Sequence, residues 1–545
     1  MRLVAEFEEA RGEDVSQRQF AKQRSVPRTT LQGWLQCGKS IDESPRVVEF
    51  FESPEGLAFL HRLVVTAHLV FGQQGACGRR LLSEFLRGSH LDRFVASSLG
   101  SQHKFACAME EQILAYADQQ RVVLGATMAP KKICVCEDET FHPQLCLVAI
   151  EPVSNFILVE RYAKQRDAQT WREALEEGLC GLPVVPNQLT GDGAKGLICH
   201  AQTMLNVHYG PDLFHGQQEI SQGTAIALEA KITQAETAYD EASLAHQQRL
   251  MDQEESALRP RKPGRPVDFQ ARSAAAEATL AQQQRALDKA RTHRATMKDL
   301  VRSLGLVYHP FDLATGVSQS ADQVGTLLAN LFYRIRALAK TAQLSEGAFK
   351  HIDKAQRLLL SMVATIAFFH TLVAQRIAAL SLSEPVAHLV HKVLLPGLYL
   401  QTVAKKLPTA ARRLALNQQA QSLLATLQAS AAWTSLDLGV QQDLRRHALE
   451  CALLFQRSTS CVEGRNGYLA LRHHQLRLLS TVKLAVLTAL HNYRSKRADG
   501  TTAAERFFGA KPDDLLDTLC ARLALPARPR KRRTPAPREV LPIAA

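Results

Sequence analysis

Three carboxylates stand out by type and setting. Glu463 sits in the small, polar run RSTSCVEGRNGYLALRHHQ (residues 457–475), which interrupts a long series of apolar helical segments. Asp192 lies between two glycines in TGDGAKGLI, and Asp138 is the middle one of three consecutive acids in KKICVCEDETFHP. A buried core has no use for ionised groups at such points, whereas a bound cation does. Carboxylate oxygens are hard ligands that suit Mg²⁺ or Mn²⁺ better than zinc. Three of them fit two divalent ions roughly 3.5–4 Å apart, which activate an attacking oxygen and stabilise a leaving one in phosphodiester transfer. Alone, Glu463 would simply favour the dipole of its helix. The chemistry depends on the fold bringing the acids together.

The elements that must do so begin at Lys131, where the pattern turns β-rich. KKICVCEDET, QLCLVAIE and FILVERYAK read as strands separated by the turn-like pieces FHP and PVSN. DAQTWREALEEGL is then a helix, VVPNQLTGDGAKGLI a strand running into a second helix, and NVHYGPDLFH a short fifth strand. This β-β-β-α-β-α-β order resembles a ribonuclease-H-like domain, with three antiparallel strands leading into parallel ones. Period-two alternation places Asp138 with Cys134 and Cys136 and turns Glu137 and Glu139 the other way. Which of the three acids is the ligand stays open at this level. Asp192 follows the fourth strand, where Gly191 and Gly193 allow close approach. A further carboxylate is expected on a helix beyond the fifth strand, and no suitable one follows closely. Glu463 comes 271 residues after Asp192 (463 − 192). Ser458, Thr459 and Ser460 are available to cap its helix, and Leu469, Leu471 and Leu478 to anchor it.

Two long amphipathic helices around the breaker RPRKPGRPVD predict an antiparallel coiled-coil arm over 219–303. Its tip, RKPGRP, resembles the core of an AT-hook, whose arginines (here Arg261 and Arg265) enter narrow minor grooves. Residues 304–450 read as an all-α insertion. Its most apolar run, LLLSMVATIAFFHTLVA (358–374), carries Ser361, Thr365, His370 and Thr371 and is short for a membrane span, so a core helix is expected.

The chain has 66 Lys and Arg against 53 Asp and Glu, a formal charge of +13, which favours a polyanionic partner. Near the N-terminus, SQRQFAKQRSVPRTTLQGWL predicts a helix-turn-helix within 1–45. Ser16 is a cap, Phe20 and Ala21 an inner face, and Leu31, Trp34 and Leu35 the stripe of the second helix. Arg28, Thr29, Thr30 and Gln32 are donors able to reach phosphates and base edges in a major groove. Residues 46–125 read as helical, either a second DNA-binding module or a packed support. Residues 451–510 are expected to complete the sheet domain begun at 126–218, and 511–545 to form a last helix and a basic tail. The 11 cysteines include no C-x-x-C pair, which fits reduced thiols better than disulfides or zinc. The acidic opening MRLVAEFEEARGED lacks the apolar core of a leader.

Taken in order, the strand segments, TGDGAKGLI, PDLFH, STSCVEGRNGYLALRHH and GTTAAERFFG resemble bacterial insertion-sequence transposases of the DDE type, closest to members with a helical domain inserted before the last acid. The resemblance covers most of the chain, and its weight lies in the order of the motifs. It implies a triad of Asp138, Asp192 and Glu463 holding two Mg²⁺ (or Mn²⁺) ions, cleavage at transposon ends and strand transfer by the freed 3′-hydroxyl. It also implies double-stranded DNA as partner (transposon ends and target), a homo-oligomer on that DNA, no membrane, and a cytoplasmic, nucleoid-associated setting. Asp212 and His215 of PDLFH resemble a segment near such active sites and are secondary contributors. By charge and position, Arg465 and Asn466 are candidates to grip the scissile phosphate, and Lys195 to face DNA. The expected fold is therefore mostly α, with an α/β ribonuclease-H-like core. Two competing readings are a transposase-derived DNA-binding protein that has lost its chemistry and a nuclease on the same fold. Metal-dependent cutting separates the first from the transposase, and joining separates the second.

Overall fold

Five segments rich in β-branched and apolar residues form one mixed sheet in a chain that is otherwise mostly helical. The computed structural model describes the chain apart from residues 1, 13–14, 39–42, 142–143, 260–266, 477–478 and 528–545. The arm tip with Arg261 and Arg265 and the basic tail therefore lie outside the described residues. Two compact units are formed, Ala129–Tyr468 and a second made of Met1–Met128 with Leu469–Ala545.

In the Ala129–Tyr468 unit the strands are β1 (Lys131–Phe141), β2 (Leu145–Glu151), β3 (Phe156–Tyr162), β4 (Val184–Gly191) and β5 (His208–Pro211). Their order across the sheet is β3-β2-β1-β4-β5. β1, β2 and β3 pair antiparallel, whereas β4 runs parallel to β1 and β5 parallel to β4. The PVSN turn closes the β2–β3 hairpin because the Glu151 carboxylate accepts from the amides of Val153 (3.0 Å) and Ser154 (2.7 Å) while Asn155 takes a left-handed φ of 65°. Six consecutive residues of β2, Cys146–Glu151, are buried, as expected of a strand covered on both faces.

The register sets where the acids fall. Cys136 lies opposite Thr190, and Thr190 opposite Gly210. Continuing that register by two residues puts Asp138, Asp192 and Asp212 in one row across β1, β4 and β5, at the ends of the parallel strands.

Beyond β5 the chain enters two long helices, Leu213–Leu258 and Phe269–Val307, laid antiparallel as the arm and clipped by Arg291–Glu236 (2.8 Å) and Arg294–Glu229 (3.2 Å). Their inner ends, with Ile220, Leu228, Met297 and Leu300, merge with a helical core that includes Phe332, Ile366, Phe369, Tyr399 and Trp433. The stretch Glu346–Ala378 is long and apolar enough to cross a membrane by length and composition alone. It is interrupted by a turn at 357–358, and Met362, Thr365, Ile366, Phe369, Val373 and Ile377 form a buried stripe at helical spacing. His208 of β5 stacks on Phe368 of this helix and meets Thr365 at 3.0 Å.

The other unit is helical. At its start, the helices Arg2–Arg11, Gln17–Gln23 and Arg28–Gly38 share a small core of Phe7, Phe20, Ala21, Leu31 and Leu35. Ser16 caps the Gln17–Gln23 helix as expected, and Gln19 makes the cap reciprocal. The side chain of Trp34 lies outside the described residues. The C-terminal segment behaves differently from expectation. Instead of staying with the sheet to residue 510, the chain passes at Leu469 into the unit of the N-terminal helices. There Tyr493 packs edge-on against Tyr116, and Gln120 bonds Asp513 through both its amide nitrogen (2.7 Å) and oxygen (3.0 Å).

Candidate active site

The row of aspartates is finished by a helix that returns to it after more than 240 residues. Asp212 is the N-cap of the Leu213–Leu258 helix: its Oδ1 accepts from the Phe214 amide at 2.7 Å. Its backbone amide donates to the Gly191 carbonyl (2.8 Å), which ties it to the glycine just before Asp192. Although buried, Asp212 is well satisfied, because Oδ2 also accepts from the Thr459 hydroxyl (2.5 Å) and pairs with His215 Nδ1 (2.8 Å).

Thr459 is the hinge of the arrangement. Expected as a cap, it uses its side chain on Asp212, while its carbonyl accepts from the amides of Val462 (2.8 Å) and Glu463 (3.1 Å) and so starts the Ser460–Leu476 helix. Glu463 then falls in the first turn. Val462 and Leu469 are buried, whereas Leu471, expected as an anchor, is exposed because it falls on the outer side of the helix, and Leu478 lies outside the described residues. The Asp212, His215 and Glu463 ligand atoms all lie within 4.8 Å of one another.

The three consecutive acids of β1 separate as alternation requires. Glu137 is buried and paired with His200 at 3.0 Å, and Glu139 is held by Arg166 (3.0 Å) and Trp171 (3.4 Å). Cys134 and Cys136 face the opposite way, toward the carbonyls of Leu454 and Ser458 in the segment leading to the Glu463 helix. Asp138 shares that face. One of its oxygens caps the Glu139 amide (2.8 Å) and the other accepts from the Asn466 amide at 3.4 Å.

Asp192 is exposed and bonds the Ala194 amide at 2.8 Å. Both neighbouring glycines are required. A Cβ on Gly191 would stand 2.8 Å from Leu197 and 3.3 Å from the Tyr209 hydroxyl, and Gly193 has φ 91° while donating to that hydroxyl at 2.7 Å.

The electrostatics follow from burial first and from the neighbouring acids second. Burial, with Asp192 and Glu463 adding to it, pushes the Asp138 carboxyl up to about 7 against the opposing pull of the Glu139 amide and His215. Burial and then Asp212 raise Glu463, with His215 opposing. The bond to Asp212 is the main cause that lifts His215 to about 9, and Asp138 and Asp192 add to it.

The structure thus brings Asp138, Asp192, Asp212, His215 and Glu463 into one electrostatic cluster. The tightest group is built on Asp212 and His215, which the sequence placed second. Two signals pointed to Asp212: it follows the last strand immediately, as Asp192 follows β4, and it opens a helix. Lys195 is exposed at the start of the Lys195–Cys199 helix. Asn466 sits on Asp138 and positions it. Arg465 is a correction. It is buried and makes a two-pronged pair with Glu160 of β3, Nε–Oε1 at 2.7 Å and Nη2–Oε2 at 2.5 Å, so it braces the Glu463 helix and is not free to grip a phosphate. Of the residues on the Arg28–Gly38 helix expected to reach DNA, Arg28, Thr29 and Gln32 are exposed and Thr30 is half-buried.

Residues 390–535 match a family of unknown function, DUF6399. That stretch contains Glu463, Arg465 and Asn466 and stops short of the strand acids. No curated protein matches the chain.

Proposed function

We propose that this protein is a DNA transposase of the DDE type, an enzyme of metal-dependent phosphodiester transfer. One observation carries the reading: Glu463, 271 residues beyond Asp192 (463 − 192), meets Asp212 and His215 within 4.8 Å and lies within charge range of Asp138. The donor set fits divalent cations, since it gathers hard carboxylate oxygens whose ionised forms oppose one another and are offset only in part by His215. Asp138, Asp192 and Glu463 would hold Mg²⁺ or Mn²⁺, two ions being the expected number. Such ions, when bound, stabilise charge on the attacking and leaving oxygens of a phosphodiester.

The chain's own residues prepare the site. Asp212, fixed by Phe214, Thr459 and His215, orients the imidazole and keeps a proton on Nδ1, which leaves Nε2 as the nitrogen available to a phosphate oxygen or a water. Asn466 holds Asp138, and the Arg465–Glu160 pair holds the helix that carries Glu463. Exposed Arg28, Thr29 and Gln32, exposed Lys195 and the +13 charge supply contacts for double-stranded DNA, which a homo-oligomer would bridge at two transposon ends.

Glu463→Gln tests the reading with little change of shape. In an assay of end cleavage and joining with Mg²⁺, the variant is expected to lose at least about 100-fold in rate, the scale of removing one electrostatic stabiliser of the transition state, while DNA affinity stays within about twofold. Cleavage at the wild-type rate would remove Glu463 from the site.

A further inference from the structure

At the root of the arm, the Leu213–Leu258 and Phe269–Val307 helices, with Thr341 at the end of the Ala321–Thr341 helix and the turn at 342–343, line an open groove of about 400 Å³. Alanines make up much of its lining, and the charged residues that line it are all basic: Lys231, Lys289 and His293. The side-chain amides of Gln283 and Gln343 add neutral donors. Lys289 and His293 stand four residues apart on one helix, where like charges repel, and Lys231 joins them from the antiparallel partner. Burial, then Lys289 and Lys231, hold the His293 imidazole below its ordinary range, so the three groups share one electrostatic neighbourhood. The nearby acids are already committed, Glu236 to Arg291 at 2.8 Å and Glu229 to Arg294 at 3.2 Å. Among the described residues neither lysine has an ion pair. Converging cations with donors beside them and no acid facing them form the complement of an anion.

We propose that this groove binds a phosphate group, with Lys231 and Lys289 as its charge partners. A space of this volume accepts a nucleotide-sized group, and its open side admits either a free phosphorylated ligand or the backbone of a nucleic acid. The backbone as source rests on the function proposed above; the phosphate chemistry does not.

The test uses the full chain and the double variant Lys231→Gln/Lys289→Gln, with Lys231→Arg/Lys289→Arg as the charge-preserving control and thermal melts to verify folding. Duplex DNA is titrated between about 50 and 200 mM salt, and ADP by calorimetry. With the backbone as source, the glutamine variant's plot of log affinity against log salt is shallower by about 2, because each lost phosphate contact removes about 0.9, and the arginine variant keeps the wild-type slope. Loss of ADP binding by about tenfold or more with DNA binding unchanged assigns the groove to a free phosphorylated ligand. If the wild type binds ADP through these lysines and does not bind DNA, the groove stands and the proposed function falls. Unchanged DNA slope together with unchanged or absent ADP binding overturns the groove.

Discussion

Replacing Arg465 by methionine keeps most of the side-chain volume and removes the cation that faces Glu160. Both side chains are almost wholly buried, at 4% and 0% exposure, and two hydrogen bonds of 2.7 and 2.5 Å join them. With charge centres about 4 Å apart and an effective dielectric near 20, the attraction is about 4 kcal/mol. Breaking a buried pair from one side costs about 3–5 kcal/mol, because the remaining charge stays in the protein without its partner. At about 1.4 kcal/mol per factor of ten, 4 kcal/mol is nearly a thousandfold in the equilibrium for local opening. The loss should fall on the Ser460–Leu476 helix, which Arg465 fastens to β3. Because the chain has two units, one unfolding free energy would be poorly defined, and native-state hydrogen exchange read by mass spectrometry is the better assay. Amides of this helix should exchange about a thousandfold faster in Arg465→Met, and the double variant Arg465→Met/Glu160→Leu should recover most of the protection, since apolar pairs replace buried ion pairs at little cost. Exchange within tenfold of wild type in the single variant would refute the brace. An Arg465 that instead gripped DNA would leave exchange unchanged and reduce the salt slope of binding by about 0.9.

Other expectations concern the acids themselves. In chelator-treated protein Asp138→Asn should stabilise the fold: the folded carboxyl titrates at about 7 and the unfolded one near its ordinary ~3.9, so wild-type stability falls between those values as pH rises, by on the order of 3 kcal/mol. Opening free energies of the β1 amides, from native-state hydrogen exchange, should therefore coincide in the two proteins near pH 4 and diverge toward pH 7, and Mg²⁺ should narrow the gap; a constant difference across that range would contradict it. His215 has the opposite sign. Its folded value of about 9 lies above the unfolded ~6.5, so its contribution is complete below about 6.5 and disappears as pH rises through 9. The stability difference between wild type and His215→Asn should shrink over that window, and a difference flat with pH would show that the imidazolium is not held by Asp212. Gly191→Ala puts a methyl 2.8 Å from Leu197 and should cost about 1–3 kcal/mol in thermal melts, with loss of activity as the Asp192 loop shifts; a wild-type melting point would mean the loop has room.

Local pattern was informative wherever burial is set by near neighbours. Alternation along KKICVCEDET separates Asp138 from Glu137 and Glu139, and the contacts to His200, Arg166 and Trp171 lie on the side that parity assigns. The five strands were visible as short apolar runs with turn residues between them, and the arm as two long polar helices around a proline-rich break. Arg465 went the other way. A basic residue two positions from a candidate ligand reads as a phosphate contact, because nothing in its neighbourhood announces that Glu160, 305 residues earlier, will meet it in the interior. The C-terminal boundary was hidden for the same cause, since the unit that the chain joins after Leu469 is set by contacts with residues 1–128, far away in sequence.

By itself, then, the sequence determined the order of the strands, the face of each acid on its own strand and the existence of the arm, because periodicity and turn chemistry act over a few residues; the strand directions were implied only by the resemblance to a ribonuclease-H-like domain. Only the tertiary structure decided that Asp212 and His215 are the nearest neighbours of Glu463, that Thr459 joins the two ends of the long insertion, and that Arg465 is a brace. Those outcomes depend on contacts between residues hundreds of positions apart, whose energies come from desolvation and charge pairing in a shared interior and leave no trace in the local pattern of either partner.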